Sequence, residues 1–453
     1  MTLRFGTDGI RGRDVELAPE LVVAVGRAAA RALPVAAGDH FVVGRDTRRS
    51  GPMIESALAA GLAAEGVVVE RLGVLPTPGV ARAAAATGGA GAMISASHNV
   101  FSDNGIKFFA AGGRKLSDEA EARFESVLDT LMVGIAPAPR GGASMGTVDD
   151  RPGCAEQYVT GVLAALEGRR LDGLSVVLDP AHGAAWSVGP ELLRRAGALV
   201  EVINAAPDGV NINRDCGSTA PDALCRAVVA AGADLGLALD GDADRVIAVD
   251  HRGEPVDGDH LIALLAIDMA DRDRLRESTV VVTVMSNLGL RRAMAERGIT
   301  VVETPVGDRH VLAALERGGW SLGGEQSGHV IVPALAGTGD GLLTGLLVAD
   351  LVRRSGQTLA ALSAAAMTRL PQVLRAIPVD HRDPEIAGRL APDIAAVEAE
   401  LGDQGRVLLR ASGTEPVIRV MVEAPTVEQA ERLAGLLAGA VERVGAGAAQ
   451  GGL

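Results

Sequence analysis

The sequence predicts an α/β protein: three similar α/β domains with mixed sheets, followed by a smaller C-terminal α+β domain, around a central cleft. Three observations carry this reading. A strand, a polar turn, an Ala/Leu-rich helix and a second strand recur three times. Beyond about residue 370 that order gives way to successive strands and one terminal helix. With 453 residues, 48 % of them apolar, the chain can bury several separate cores.

In the first repeat a strand from Phe41 ends in Gly44-Arg45-Asp46-Thr47-Arg48, a helix runs through Glu65, and residues 67–72 return as a strand. The second has strand 174–178 ending in Asp179-Pro180-Ala181-His182-Gly183, a helix through Arg195, and strand 199–203. In the third, strand 279–284 ends in Met285-Ser286-Asn287, a helix runs to Arg297, and strand 300–303 follows. Each polar turn stands where a strand hands over to a helix, the edge at which open α/β sheets hold ligands. The last domain is predicted from strands 373–379, 406–409 and 417–423 and a helix from Val427 to about Val444, after which a Gly/Ala tail should fray. The expected domains are 1–150, 151–254, 255–370 and 371–453, with Pro- and Gly-rich linkers at 136–150, at 250–257 and before Pro371.

Composition narrows the function. A formal charge of −14 argues against nucleic-acid or anionic-membrane partners, which demand a basic surface. Aromatic residues make up 2 % of the chain, so the cores must be built from Ala, Val and Leu, and platforms for stacking bases are scarce. Cys154, Cys216 and Cys225 show no CxxC or zinc spacing and are expected as buried, reduced thiols. The start of the chain lacks a signal-peptide core, and residues 261–270 are too short to span a bilayer; the expected location is the cytoplasm.

The strongest local motif is Asp240-Gly241-Asp242-Ala243-Asp244-Arg245, between apolar runs at 235–239 and 246–249. Three carboxylates gathered in a strand-to-strand turn repel one another and call for a cation, and hard oxygen ligands favour Mg²⁺. An EF-hand is excluded, because Arg245 and His251 stand where that loop needs Gly and Glu. Ile94-Ser95-Ala96-Ser97-His98-Asn99 reads as a serine loop that another molecule can approach, or as a turn whose hydroxyls bond their own backbone. Arg410-Ala411-Ser412-Gly413-Thr414-Glu415-Pro416, with Arg419 beyond it, offers freed backbone N–H groups, hydroxyls and two guanidinium forks for a phosphate; a hydroxyl-rich hairpin is the alternative. In Gly323-Gly324-Glu325-Gln326-Ser327-Gly328-His329 the glycines let Glu325 and Ser327 project together toward a polyol, with His329 as a donor or acid. The stretches 5–12, 45–48 and 103–107 add cationic groups at turns.

Taken together, these motifs resemble the α-D-phosphohexomutase superfamily, in the family's order from Phe5 to Arg419. Asn211-Ile212-Asn213, Cys216-Gly217-Ser218-Thr219, the form Glu325-Gln326-Ser327-Gly328-His329 and Gly337-Thr338-Gly339-Asp340-Gly341 look most like the bacterial phosphoglucosamine mutases. The resemblance implies that Ser97 is a phosphoserine, and that Asp240, Asp242 and Asp244 hold one Mg²⁺ with an oxygen of phosphorylated Ser97. It also implies that Lys107, Arg11 and His98 surround the transferring phosphoryl and that Arg245 lies close to the metal loop. Glu325 and Ser327 would bind sugar hydroxyls, and Arg410, Ser412, Gly413, Thr414 and Arg419 the phosphate that does not react. Three departures stand out: Val100 where the family usually has Pro, His310 where an aromatic is expected, and Ala243 in place of a more frequent Gly.

The expected activity is interconversion of glucosamine 6-phosphate and glucosamine 1-phosphate through a 1,6-bisphosphate, supplying cell-wall amino-sugar precursors, with Lys107 as the base. The alternatives are a phosphomannomutase or phosphoglucomutase on the same scaffold, a non-catalytic phosphosugar sensor, and a metal-dependent phosphatase. Expected partners are the phosphosugar, a glucose or glucosamine 1,6-bisphosphate primer and an activating kinase, the chain being a monomer or homodimer.

Overall fold

In the computed structural model the described residues are 5–6, 9–33, 35, 38–134, 138–379, 385–411 and 416–450, the side chains at 5–6 and 445–450 excepted. The chain forms two compact units, Met1–Met285 with Ile299–Ala366, and Ser286–Gly298 with Met367–Leu453.

The first unit holds three mixed sheets. The eight-stranded sheet runs in the order Phe5–Gly6, Gly9–Arg13, Asp103–Ala110, Ala90–Ile94, His40–Arg45, Val68–Val74, Val148–Asp150, with Arg114–Lys115 added to Asp103–Ala110. Ala90–Ile94, His40–Arg45, Val68–Val74 and Val148–Asp150 pair in parallel; the rest of the sheet is antiparallel. The first repeat is thus a βαβ unit, with helix Gly51–Ala64 between its strands. Its core of Val, Leu, Ile and Ala is joined by Phe41, Phe108 and Phe124, in keeping with the scarcity of aromatic residues. Residues 148–150, within a predicted linker, are an edge strand of this sheet.

The second sheet joins Leu199–Val202, Ser175–Asp179 and Leu235–Leu239 in parallel, then Val246–Asp250 and Pro255–Val256 by antiparallel pairing. The predicted linker at 250–257 is therefore a hairpin: its turn residues reverse the chain within one sheet, with Asp250 N–H donating to Glu254 O at 2.9 Å. In the third sheet Thr300–Thr304, Thr279–Thr283 and Gly323–Gly324 are parallel, and Val330–Ile331 is antiparallel at the edge. Its apolar face is covered by helix Asp308–Gly318 through Val311, Leu312 and Leu315.

The third repeat is again a strand, a helix and a parallel strand. Its strands pair in parallel, yet the helix between them, Leu288–Glu296, belongs to the second compact unit. A buried carboxylate ties it there: Glu423 accepts from Leu288 N–H at 2.9 Å and from Arg406 Nε at 2.7 Å, while Asn287 Nδ2 donates to Leu370 O at 3.0 Å. The second unit is otherwise an antiparallel sheet, Gln372–Pro378, Val417–Glu423 and Arg406–Ala411, backed by Ala391–Leu401 and Val427–Gln450. That last helix continues past Val444, where fraying was expected; alanine, the best helix former, occupies several positions of the extension.

Candidate active site

The metal loop spans the hairpin between Leu235–Leu239 and Val246–Asp250, whose last pair is Leu239 opposite Val246. Asp240, Asp242 and Asp244 are each at most 3 % exposed, and ligand oxygens from all three lie within 4.8 Å of one another. Ala243 holds a left-handed backbone, φ +57°, which explains why glycine suits this position; alanine there costs about 1 kcal/mol. The built-in cations are uneven. Lys107 Nζ donates to Asp242 Oδ2 at 2.8 Å and to Asp244 Oδ2 at 3.2 Å, while Thr77 Oγ1 donates to Asp242 Oδ2 at 2.7 Å. Asp242 Oδ1 and Asp244 Oδ1 are buried and accept no hydrogen bond. Burial and then the neighbouring Asp244 and Asp242 push the Asp240 carboxyl well above the ordinary carboxylate range. Burial also opposes ionisation of Asp244, but Lys107, His329 and Arg245 outweigh it and hold that carboxyl well below the usual range. Three clustered oxygen donors, two of them with unused lone pairs, fit a small hard divalent cation.

Ser97 follows strand Ala90–Ile94 and is 1 % exposed. Its Oγ donates to Asp240 Oδ2 at 2.6 Å and lies 3.3 Å from His98 Nδ1, so the serine and metal loops share a hydrogen bond across 143 residues. Ser97 N–H donates to Ser95 Oγ at 2.9 Å, and Ser95 Oγ to Asp46 Oδ2 at 2.7 Å. His98 also meets Arg245 Nη1 at 3.3 Å. Burial, then Arg245 and Arg11, pull its pKa down to about 4, which leaves the ring neutral at pH 7. Sheet register sets the remaining cations: Lys107 pairs with Met93 on one side, and Arg11 is opposite Gly105, two residues from Lys107 on the same face.

Glu325 Oε1 accepts from Gly307 N–H at 3.0 Å, and Ser327 Oγ approaches Glu325 Oε2 at 3.5 Å. Both side chains are half-buried. Gly328 makes this loop continuous with the metal hairpin, since its carbonyl accepts from Val246 N–H at 3.1 Å; a Cβ there would sit 2.0 Å from Val246 O. His329, expected at the sugar, stands instead behind the metal loop. It is 2 % exposed, with Nδ1 3.6 Å from Asp244 Oδ1 and Nε2 3.3 Å from Asp308 Oδ2, and Nε2 accepts from Gly339 N–H at 3.1 Å. The buried ring thus faces the Asp244 and Asp308 carboxylates.

In the second unit Arg410 and Arg419 are directly opposed across the sheet. Like charges in that register are unfavourable without an anion. Burial, and then Arg419, hold the pKa of Arg410 down, and its Nε is buried without a hydrogen-bond partner. Ser412, Gly413 and Thr414 lie outside the described residues, as do Thr7 and Asp8. His310 is half-buried at the start of its helix, where its N–H donates to Gly307 O at 2.9 Å.

Sequence reasoning passed over several groups that the fold brings here: Asp46, Arg48, Thr77, Asn213 and Asp308. Two signals were available, the Arg45-Asp46-Thr47-Arg48 turn and the Asn211-Ile212-Asn213 motif, but neither says what it touches.

The sequence matches four domain families described as phosphoglucomutase/phosphomannomutase: alpha/beta/alpha domain I over residues 2–132, domain II over 156–253, domain III over 257–370 and the C-terminal domain over 360–440. It is 54 % identical over 447 residues to the phosphoglucosamine mutase of Streptomyces coelicolor, spanning 97 % of this chain and 98 % of that one. With the phosphoglucosamine mutase of Rhodococcus jostii the identity is 53 % over 446 residues, 97 % and 99 % of the two chains. A solved phosphoglucomutase/phosphomannomutase family protein from Burkholderia thailandensis shares the fold with a TM-score of 0.77 at 25 % identity, covering 95 % of this chain and 97 % of that one. Among the described residues no helix is long and apolar enough to cross a membrane. Full-length identity of this order, on a fold that brings the serine and metal loops into contact, shows that the chain belongs to the phosphoglucosamine mutase family of the phosphohexomutases.

Proposed function

We propose that the chain interconverts glucosamine 6-phosphate and glucosamine 1-phosphate, with Ser97 carrying the phosphoryl group and a 1,6-bisphosphate as intermediate. The observation that carries this reading is the 2.6 Å contact of Ser97 Oγ with Asp240 in a cluster of three buried carboxylates. Asp240, Asp242, Asp244 and an oxygen of phosphorylated Ser97 would hold one Mg²⁺ per chain, which supplies charge neutralisation for phosphoryl transfer.

The side chains divide the remaining work. In the first transfer the bond from Ser97 Oγ to phosphorus breaks as a sugar hydroxyl bonds to phosphorus. Lys107 pairs with the same carboxylates as a cation; released from them as the neutral amine when a metal ion takes up their charge, it would accept the hydroxyl's proton and return it to the departing Ser97 Oγ. Arg11 and neutral His98 line the transferring group, and Arg245 fixes His98 from the metal side. Glu325 and Ser327 accept and donate to sugar hydroxyls, with His329 holding Asp244 behind them. Arg410 and Arg419, with Ser412, Gly413 and Thr414, grip the other phosphate. The intermediate then turns over, so that its second phosphate returns to Ser97. A hexose 1,6-bisphosphate or an activating kinase supplies the first phosphate, and the reaction belongs in the cytoplasm.

Comparing kcat/KM for glucosamine, glucose and mannose phosphates tests the substrate. The expected order puts glucosamine phosphate first by roughly 10-fold or more, the scale on which one polar group is distinguished. A preference for mannose or glucose phosphate would overturn it.

A further inference from the structure

We infer that Arg48 and Asn213 form a clasp on the carbonyls of the serine loop and are positioning residues for phosphoryl transfer, an inference that rests on the phosphoserine reading. Ser97 has φ +54°, a left-handed conformation that a non-glycine residue keeps only where its surroundings impose it. Two donors from distant parts of the chain impose it here. The Arg48 side chain is fully buried, with Nε on Asp46 Oδ2 at 2.8 Å. Its Nη2 donates to Ser97 O at 3.0 Å and Asn99 O at 2.8 Å, and its Nη1 to Asp103 O at 2.9 Å and to Val100 O. Asn213 Nδ2 donates to the first two of those carbonyls, at 2.8 Å to Ser97 and 2.9 Å to Asn99.

Each of these two oxygens therefore receives one donor from Arg48, in the turn after strand His40–Arg45 of the first sheet, and one from Asn213, in the connection leading to strand Leu235–Leu239 of the second. A carbonyl has two lone pairs, and both are used. The metal loop closes on the same point: a Cβ at Gly241 would lie 2.6 Å from Ser97 O and 2.8 Å from Asn213 Nδ2. Serine loop, metal loop and Asn213 thus meet around one carbonyl, and the strained turn aims Ser97 Oγ at Asp240. The side chain of Val100 is exposed while its carbonyl lies in Arg48's grip, so rigidity here comes from hydrogen bonds on the backbone and not from a proline ring. A lysine at position 48 offers no rigid fork to reach four carbonyls.

The decisive variants are Asn213→Ala, Asn213→Asp and Arg48→Lys. Removing Arg48 outright would strand the buried Asp46, so Asn213 carries the main test. Asp matches Asn in shape but replaces the Nδ2 donor with an acceptor, and it should fail as Ala does. Both Asn213 variants should lower kcat roughly 10- to 100-fold, the scale of a misplaced reacting group, with KM for the sugar phosphate within about 3-fold. Amide hydrogen exchange at residues 95–103 should rise while the strands of the first sheet stay protected. Exchange needs no turnover, so it tests the clasp separately from the phosphoserine reading. Unchanged exchange at 95–103 would overturn the clasp. A loosened loop with wild-type kcat, or a fall in melting temperature with full activity in the folded fraction, would overturn the positioning role.

Discussion

The metal loop and the arginine pair of the C-terminal sheet both crowd like charges, and they differ in what answers the charge. At the metal loop Lys107, from the first sheet, and Arg245, at the end of the loop itself, offset some of the negative charge, leaving two carboxylate oxygens without hydrogen bonds. At Arg410 and Arg419 two half-buried guanidinium groups face each other across adjacent strands, and burial with mutual repulsion disfavours the charge on Arg410. The first arrangement is preassembled to hold one small cation in fixed geometry. In the second, the Arg410 Nε is buried without a hydrogen-bond partner, which suits the anion-binding role proposed for it.

The comparison can be broken from either side. Asp242→Asn should cost the most, on the order of 10³-fold in kcat, because it removes one ligand charge and the partner of Lys107 and Thr77. The same variant should lose most of the rise in melting temperature that Mg²⁺ gives the wild type. That rise should itself grow with pH. A raised Asp240 pKa means that the folded state takes up a proton more readily than the unfolded chain, so stability falls as pH rises through the folded value; a divalent cation replaces that proton. Melting curves with and without Mg²⁺ between roughly pH 5 and pH 8 check the sign.

Arg410→Ala should act differently. Loss of one charge-assisted contact to a phosphate, worth about 1.5–3 kcal/mol, should lower kcat/KM by roughly 10- to 100-fold with most of the change in KM, and Mg²⁺ stabilisation should stay intact. A fall in Mg²⁺ affinity would contradict the division of labour. The smallest effect is expected at Ala243→Gly. Relief of the left-handed backbone, about 1 kcal/mol, less the entropy of glycine, roughly 0.5 kcal/mol or more, should stabilise the protein by at most about 0.5 kcal/mol in denaturant unfolding, with activity unchanged.

Much of this was legible in the sequence where the cause is local. The three aspartates announce themselves because alternate carboxylates in one short turn need a cation wherever the turn sits. The first two βαβ repeats follow from apolar runs and the helices between them. What escaped depends on contacts between distant segments. Thr77 reaches Asp242 across 165 residues and Asn213 reaches Ser97 across 116, and no short pattern encodes either meeting. His329 lies in a loop rich in glycine and polar residues that reads as a sugar site; its burial between Asp244 and Asp308 was not legible there. The helix Leu288–Glu296 was legible from its apolar pattern, but the hydrogen bond from its first turn to the buried Glu423, 135 residues away, was not.

The central claim is that Ser97 carries the phosphoryl group between sugar positions. The most direct measurement is a single turnover: protein phosphorylated at Ser97, verified by intact mass and peptide mapping, is mixed with glucosamine 6-phosphate and Mg²⁺ and followed by mass spectrometry. Loss of one phosphate from the Ser97 peptide, matched by appearance of the 1,6-bisphosphate, is the predicted result. Retention of the phosphate on Ser97 while glucosamine 1-phosphate accumulates, or its release as inorganic phosphate, would contradict the account.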